Sequence, residues 1–201
     1  MRTLFFIVVY SMLNCVKLSA QDLLPESQKL NKDTTFVEGG YTYQCDVIEA
    51  AKFVTLYNKE NKWTNVCHVY KSTGKMYGFD GKSPSIKTFI EDSRMMNKAY
   101  SIIDNAFTRS TASLFGNRKF NIIMRLDSET GKVIDVEFNF TSFSIYARVP
   151  ITIYRDIEVK LKEEISFTTT AVGKQLNYVL IGWSQCPRGA LPPIDTSIEL
   201  E

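Results

Sequence analysis

Residues 120–140 constrain the fold more than any other part of the chain. Phe120, Ile122, Met124 and Leu126 alternate with Asn121, Arg125 and Asp127. After Ser128-Glu129-Thr130-Gly131 the alternation resumes, with Ile134, Val136, Phe138 and Phe140 against Asp135, Glu137 and Asn139. A period of two with a glycine turn between its halves is a β-hairpin with one buried face. Its polar residues, Glu137 among them, are expected to meet water.

Beyond the hairpin the period becomes helical. Pro150 stands at a helix start, and Ile151, Tyr154, Ile157, Leu161 and Ile165 form one apolar stripe. Asp156 with Lys160, and Glu158 with Lys162, make four-residue pairs on the expected wet face. Gly173 closes a turn, and residues 176–183 form a last strand. The tail 186–201, with Pro187, Pro192 and Pro193, reads as loose.

Ahead of the hairpin the pattern is weaker. Residues 21–34 are polar and mixed, a flexible lead. Residues 41–48, 52–57 and 63–70 carry the β-branched and aromatic residues that suit strands, with 58–61 as a turn. They read as an antiparallel meander, continued by 76–79 after Gly74. From 85 to 107 the period turns helical, through Ile86, Phe89 and Ile90, then Met96, Tyr100, Ile103 and Phe107. Asp92 or Ser93 can cap a break between two helices. The fold class expected is α+β. A meander and helical connector (35–108) precede a hairpin–helix–strand unit (109–185), which shares or extends the core.

The first twenty residues have the three parts of an export signal. Arg2 supplies charge, residues 4–13 a short apolar run, and Ser19-Ala20 a small-residue cleavage point. The run is too short to cross a bilayer, and no later segment is apolar enough, so no transmembrane segment is expected. Lipid anchoring at Cys15 is disfavoured because Asn14 precedes it. The mature chain then begins near Gln21 and is periplasmic or secreted. Removing Arg2 and Lys17 takes the formal charge from +2 to zero, and the remaining charges are interspersed. Nucleic acid is therefore not an expected partner.

Three cysteines remain: Cys45, Cys67 and Cys186. Export permits a disulfide, but an odd number leaves one unpaired. In the meander, Cys45 and Cys67 flank strand 52–57 at about 10 Å, beyond the roughly 7 Å that bridging allows. A 45–67 disulfide needs the first strand to pair elsewhere.

Residues 120–183 resemble the carboxy-terminal domain of TonB, the periplasmic energy-coupling protein. The resemblance rests on 125–136 (Arg-Leu-Asp-Ser-Glu-Thr-Gly-Lys-Val-Ile-Asp-Val), the helix 154–165, and Gly173-Lys174 before Leu176-Asn177-Tyr178. From Gly131 to Trp183 the chain is more closely similar to small exported Bacteroidota proteins of unknown function. Those share a Pro-x-x-x-Tyr-x-x-Ile-Glu-x-x-Leu-Lys helix before Gly-Lys-x-Leu-Asn-Tyr and a tryptophan. The chain has neither the membrane anchor nor the Pro-rich spacer of TonB, so energy coupling is not implied. What the resemblance implies is a mode of contact, in which an exposed strand edge pairs with an extended partner segment. Here that edge is Leu176, Tyr178, Val179, Leu180 and Trp183.

No catalytic constellation emerges. His68 is the sole histidine, and its neighbour Cys67 would point to the other face of a strand, so the two cannot form a dyad. Cys45 and Cys186 lack the close spacing of zinc ligands. Asp127-x-Glu129-x-Gly131 fails as a calcium loop because Phe138 stands where the bidentate acid belongs. Glu158, Glu163 and Glu164 read as solvated carboxylates. Asn139-Phe140-Thr141 is a glycosylation sequon of meaning only in a eukaryotic secretory path. Trp63 and Trp183 suit the core or an exposed binding face, and aromatic burial favours the core. The expected function is a cofactor-free, metal-free module that binds a protein or peptide. A small carboxylate-dependent hydrolase of glycan or peptide, and a structural or inhibitory envelope component, are the rivals.

Overall fold

A computed structural model describes residues 23–25, 29–78 and 87–189. The export-signal residues, the helical start at 85–86 and the tail from 190 lie outside them.

The hairpin forms as its alternation predicts. Strand β4 (Phe120–Leu126) pairs antiparallel with β5 (Val133–Thr141), with a register shift between Arg125 and Leu126. The turn is built by Asp127, whose Oδ1 accepts from the Thr130 and Glu129 amides at 2.7 and 3.1 Å. Gly131 has φ +70°, and a Cβ there would lie 1.7 Å from the Phe167 carbonyl oxygen, so no other residue fits.

Around the hairpin the sheet grows in both directions. β1 (Thr34–Glu38), β2 (Tyr41–Ile48) and β3 (Phe53–Asn58) form an antiparallel ribbon. β3 joins β5, and β6 (Val179–Gln185) joins β4, giving the order β1-β2-β3-β5-β4-β6. Cys45, Leu56, Phe138, Ile122 and Trp183 thus stand in one row across five strands. The two halves share a single sheet, and β6 and β1 are its margins.

Three helices cover one face. α1 (Ser93–Asn105) is capped by Asp92, whose Oδ1 accepts from the amides of Arg94 and Met95 at 2.9 and 3.2 Å. A second break falls at Thr108, the cap of the short α2 (Arg109–Phe115). α3 (Ile151–Glu164) buries Ile151, Tyr154, Ile157 and Leu161 against β5, with Ile165 just beyond its end. Between helices and sheet lies an aromatic core. Tyr146 sits 4.6 Å from Phe120 and 4.7 Å from Phe115, and Tyr154 4.9 Å from Phe138. The buried hydroxyls of Tyr146 and Tyr154 donate to the carbonyls of Arg118 and Tyr146, as buried tyrosines require.

Several expectations need correction. Residues 63–70 are no sheet strand and make only isolated bridges, Val69 to Met76 and Tyr70 to Leu176. The place beside β3 belongs to β5, and Asn65 in a left-handed conformation (φ +63°) interrupts the extended chain. Residues 87–92 are not helical, since Phe89 bridges to Thr169. Within the expected flexible lead, Leu24 and Leu30 are held: their amides donate to Arg148 and Ala147, and Leu30 is fully buried. Residues 186–189, expected to be loose, also pack down; the Arg188 amide donates to Asp104 at 3.0 Å. The last strand begins at Val179 rather than 176. Cys45 is buried on β2, Cys67 is exposed and Cys186 half-buried, all three as free thiols.

Candidate functional site

The sheet face away from the helices is polar, and much of it is buried. Tyr57 donates to Asp46 at 2.9 Å, and Thr55 to Asn139 Oδ1 at 2.8 Å. Asn139 in turn donates to Glu137 at 2.8 Å, and Arg125 Nη2 to the other Glu137 oxygen at 2.9 Å. Glu137 is 8% exposed and Arg125 7%, which overturns the expectation that Glu137 faces water. Flanked by strands on both sides and crossed by residues 61–70, this part of β5 has no solvent face. The sequon residue Asn139 is bonded and buried, with no room for a glycan on the folded chain.

The crossing segment is fixed to the sheet from below. Asp135 accepts from the amides of Lys62 and Trp63, the latter at 2.6 Å, and Asn61 donates to the Val136 carbonyl. His68 stacks on Tyr178 with ring centroids 4.6 Å apart and lies 5.0 Å from Tyr77. Its Nε2–H donates to the Tyr178 carbonyl at 2.8 Å. Burial holds the His68 pKa below its ordinary 6.5, the Tyr178 carbonyl opposing and the nearby Arg125 charge reinforcing the shift. The Arg125 guanidinium sits 5.7 Å from the Tyr178 ring centre, and that hydroxyl donates to Val66. His68 is half-buried, as expected, but in this strap and not in a strand.

A second polar site lies on the helix side. Glu158, expected on the wet face of α3, is 2% exposed. It accepts from Tyr43, from Asn58 at 3.5 Å, and from Lys162 at 2.5 Å, so the expected Glu158–Lys162 pair forms as a partly buried one. Burial, reinforced by the Glu158 charge, raises the Tyr43 pKa above its usual range. Glu163 and Glu164 are exposed, the latter 3.1 Å from Lys98. No group of three His, Cys, Asp or Glu residues among the described ones could hold a metal ion.

The five residues of the expected partner-binding edge divide. Leu176, Tyr178 and Val179 have buried side chains, Trp183 is half-buried against Tyr100, and Leu180 is 40% exposed. Residues 175–178 are engaged by the strap: Asn177 bonds Val69 and Cys67, and the Lys71 amide donates to the Gln175 carbonyl. From residue 180 onward β6 is different. Among the described residues, no main-chain group outside β4 bonds it.

At the far end of β6 opens a cleft of about 1080 Å³ between α1 and α2. Tyr100, Asp104, Arg109, Lys119, Gln185 and Arg188 are among its lining residues. Asp104 Oδ1 is occupied, accepting from Gln185 Nε2 at 2.8 Å and the Arg188 amide at 3.0 Å. Segment 186–189 forms a wall. Cys186 Sγ lies 3.0 Å from the Gly116 carbonyl, and Gly189, with φ +79°, lets the backbones meet, since a Cβ there would be 2.8 Å from Arg109. Sequence reading missed this cleft because its walls come from three separate stretches, 97–104, 109–119 and 184–188. A smaller cavity of about 430 Å³ lies by the start of α1, lined by Asp92, Arg94, Glu129 and Lys174 among others. Among the described residues, no helix is long and apolar enough to cross a membrane.

Comparison with known proteins places the chain. Residues 28–183 match the profile of DUF5043, a domain of unknown function. No curated protein matches. The crystal structure of a DUF5043 family protein from Bacteroides uniformis ATCC 8492, at 1.85 Å resolution, superimposes with a TM-score of 0.77. It is 47% identical in sequence, over 84% of this chain and 99% of that one. Neither finding bears on the TonB resemblance, whereas both agree with the likeness to proteins of unknown function. The chain belongs to the DUF5043 family.

Proposed function

We propose that this chain is an exported, non-catalytic module of the periplasm or cell surface. It binds a protein or peptide by pairing an extended segment of the partner with the outer edge of β6. The observation that carries this reading is the uncovered edge over residues 180–184. Natural sheets blunt such edges with charge, proline or a covering element. The β6 sequence Val-Leu-Ile-Gly-Trp-Ser-Gln has neither charge nor proline, and it presents the half-exposed Leu180. A strand left in that state is a template for β-addition. The export part of the reading is supported by the charge, apolar run and small residues of 1–20.

The hydrolase reading has less support. Asp135, Glu137 and Glu158 are the buried acids of the described chain, and each is taken by specific donors. None lines either cavity. A general acid needs access to substrate as well as a shifted pKa.

Selection of peptides from a displayed library on the purified protein tests the edge. Selected binders should slow amide exchange at residues 180–184, and Gly182→Pro should abolish binding where circular dichroism shows the fold retained. Binders that protect only amides elsewhere, with Gly182→Pro inert, would refute the reading.

A further inference from the structure

The cleft at the end of β6 has a sign. Three cationic side chains line it, those of Arg109, Lys119 and Arg188, and all three residues are exposed. They come from the start of α2, the lead into β4 and the segment after β6. Two separate stretches of chain, 109–119 and the segment after β6, thus bring the same charge to one concavity. The lining has a single acid, Asp104. Its Oδ1 is already engaged by Gln185 and the Arg188 amide, which makes it part of the wall. The formal charge of the lining is therefore positive, on a chain whose acids and bases otherwise nearly balance. Neutral donors stand among the cations, with Asn97, Ser101, Ser113 and Asn117 also in the lining. Arginine forks and amides of this kind suit planar carboxylates.

Position gives the cleft its meaning. Ser184 and Gln185, the last residues of β6, belong to its lining, so a segment paired with the edge of β6 runs directly into it. We infer that the cleft selects the partner, and that the partner segment is acidic, with Asp or Glu side chains next to the part that pairs with β6. This inference rests on the edge-binding reading. Backbone pairing along β6 supplies affinity without regard to sequence, and the cations supply the choice among extended segments.

The probe is a fluorescent ten-residue peptide of alternating Val and Thr followed by three Glu, compared with counterparts ending in three Gln or three Lys. Anisotropy titration on the full chain should show the Glu peptide binding at least about tenfold tighter than the Gln peptide. The Lys peptide should be weakest, and the difference should shrink between about 50 mM and about 500 mM NaCl. The triple variant Arg109→Gln, Lys119→Gln, Arg188→Gln should erase the discrimination and keep the Gln-peptide affinity. These substitutions are at exposed positions, so the fold should survive them. Equal affinities for the three peptides, or discrimination that persists in the triple variant, would overturn the inference while leaving edge binding intact. Discrimination that vanishes in the triple variant but ignores Gly182→Pro would sustain the cleft and refute the edge. Absence of binding by every peptide would overturn both.

Discussion

At β5 the two faces of the central sheet are both buried, and they are buried by opposite means. On the helix side, Phe120, Phe138, Phe140, Tyr146 and Tyr154 fill the space with rings, and the hydroxyls of the two tyrosines are satisfied by carbonyls. On the strap side, Thr55, Asn139, Glu137 and Arg125 form a chain of polar bonds, closed by Tyr178 and His68. The first arrangement stabilises through apolar area and tolerates small shifts. The second depends on specific partners, because a buried polar group without one is costly, and Arg125 Nε and Nη1 already have none among the described residues. The aromatic face therefore governs overall stability, and the polar face governs whether the strap stays down beside β6.

Substitutions can break that comparison. Phe138→Ala should have the largest effect, about 3–5 kcal/mol in chemical denaturation, as loss of a buried ring does. Glu137→Ala should cost about 3 kcal/mol, because it strands Arg125. A denaturation midpoint within error of the parent would show that the polar face is open to water after all. The same pair replaced together, Arg125→Met with Glu137→Leu, should recover part of that loss, since an apolar pair carries no desolvation cost but leaves the Asn139 amide without its acceptor.

The smallest effect concerns pH. His68 has its folded pKa depressed by burial, so the unfolded chain binds the extra proton more readily. The stability tied to neutral His68 is present above about 6.5 and is lost as pH falls toward the folded value. Arg125, 5.7 Å from the Tyr178 ring centre, adds repulsion to the protonated ring, and Tyr77 brings no compensating charge. Thermal melts should therefore drop modestly between about pH 7 and about pH 5, and His68→Gln should flatten that drop. Asp127, whose pKa is held below 3.8 chiefly by the Thr130 amide, acts in a separate and more acidic window. An unchanged slope in His68→Gln would remove His68 from the account.

Much of this molecule was legible where a local period carried the information. The hairpin, its Gly131 turn, the α3 stripe from Ile151 to Ile165 and the Asp92 cap each come from neighbouring residues. The errors have one cause. Glu137 and Glu158 look solvated because polar residues at regular spacing mark a wet face, and the spacing does not reveal that a distant strap or Tyr43 covers it. Residues 63–70 look like a strand because their aromatics and β-branched side chains suit one. Those side chains in fact serve as the lid of the polar face, through His68 and Trp63 against the Tyr178 ring.

The sequence by itself determined the α+β class, the hairpin and its register-setting turn, the main helix and the apolar side of each. It also carried a likeness to proteins of unknown function, with which the family agrees. Only the tertiary structure decided that β3 pairs with β5, that β6 stands at the margin, and that Arg109, Lys119 and Arg188 meet in one cleft. The physical reason is range. Periodicity and capping record interactions within a few residues, whereas strand order and the neutralisation of buried charge depend on segments that meet from across the chain.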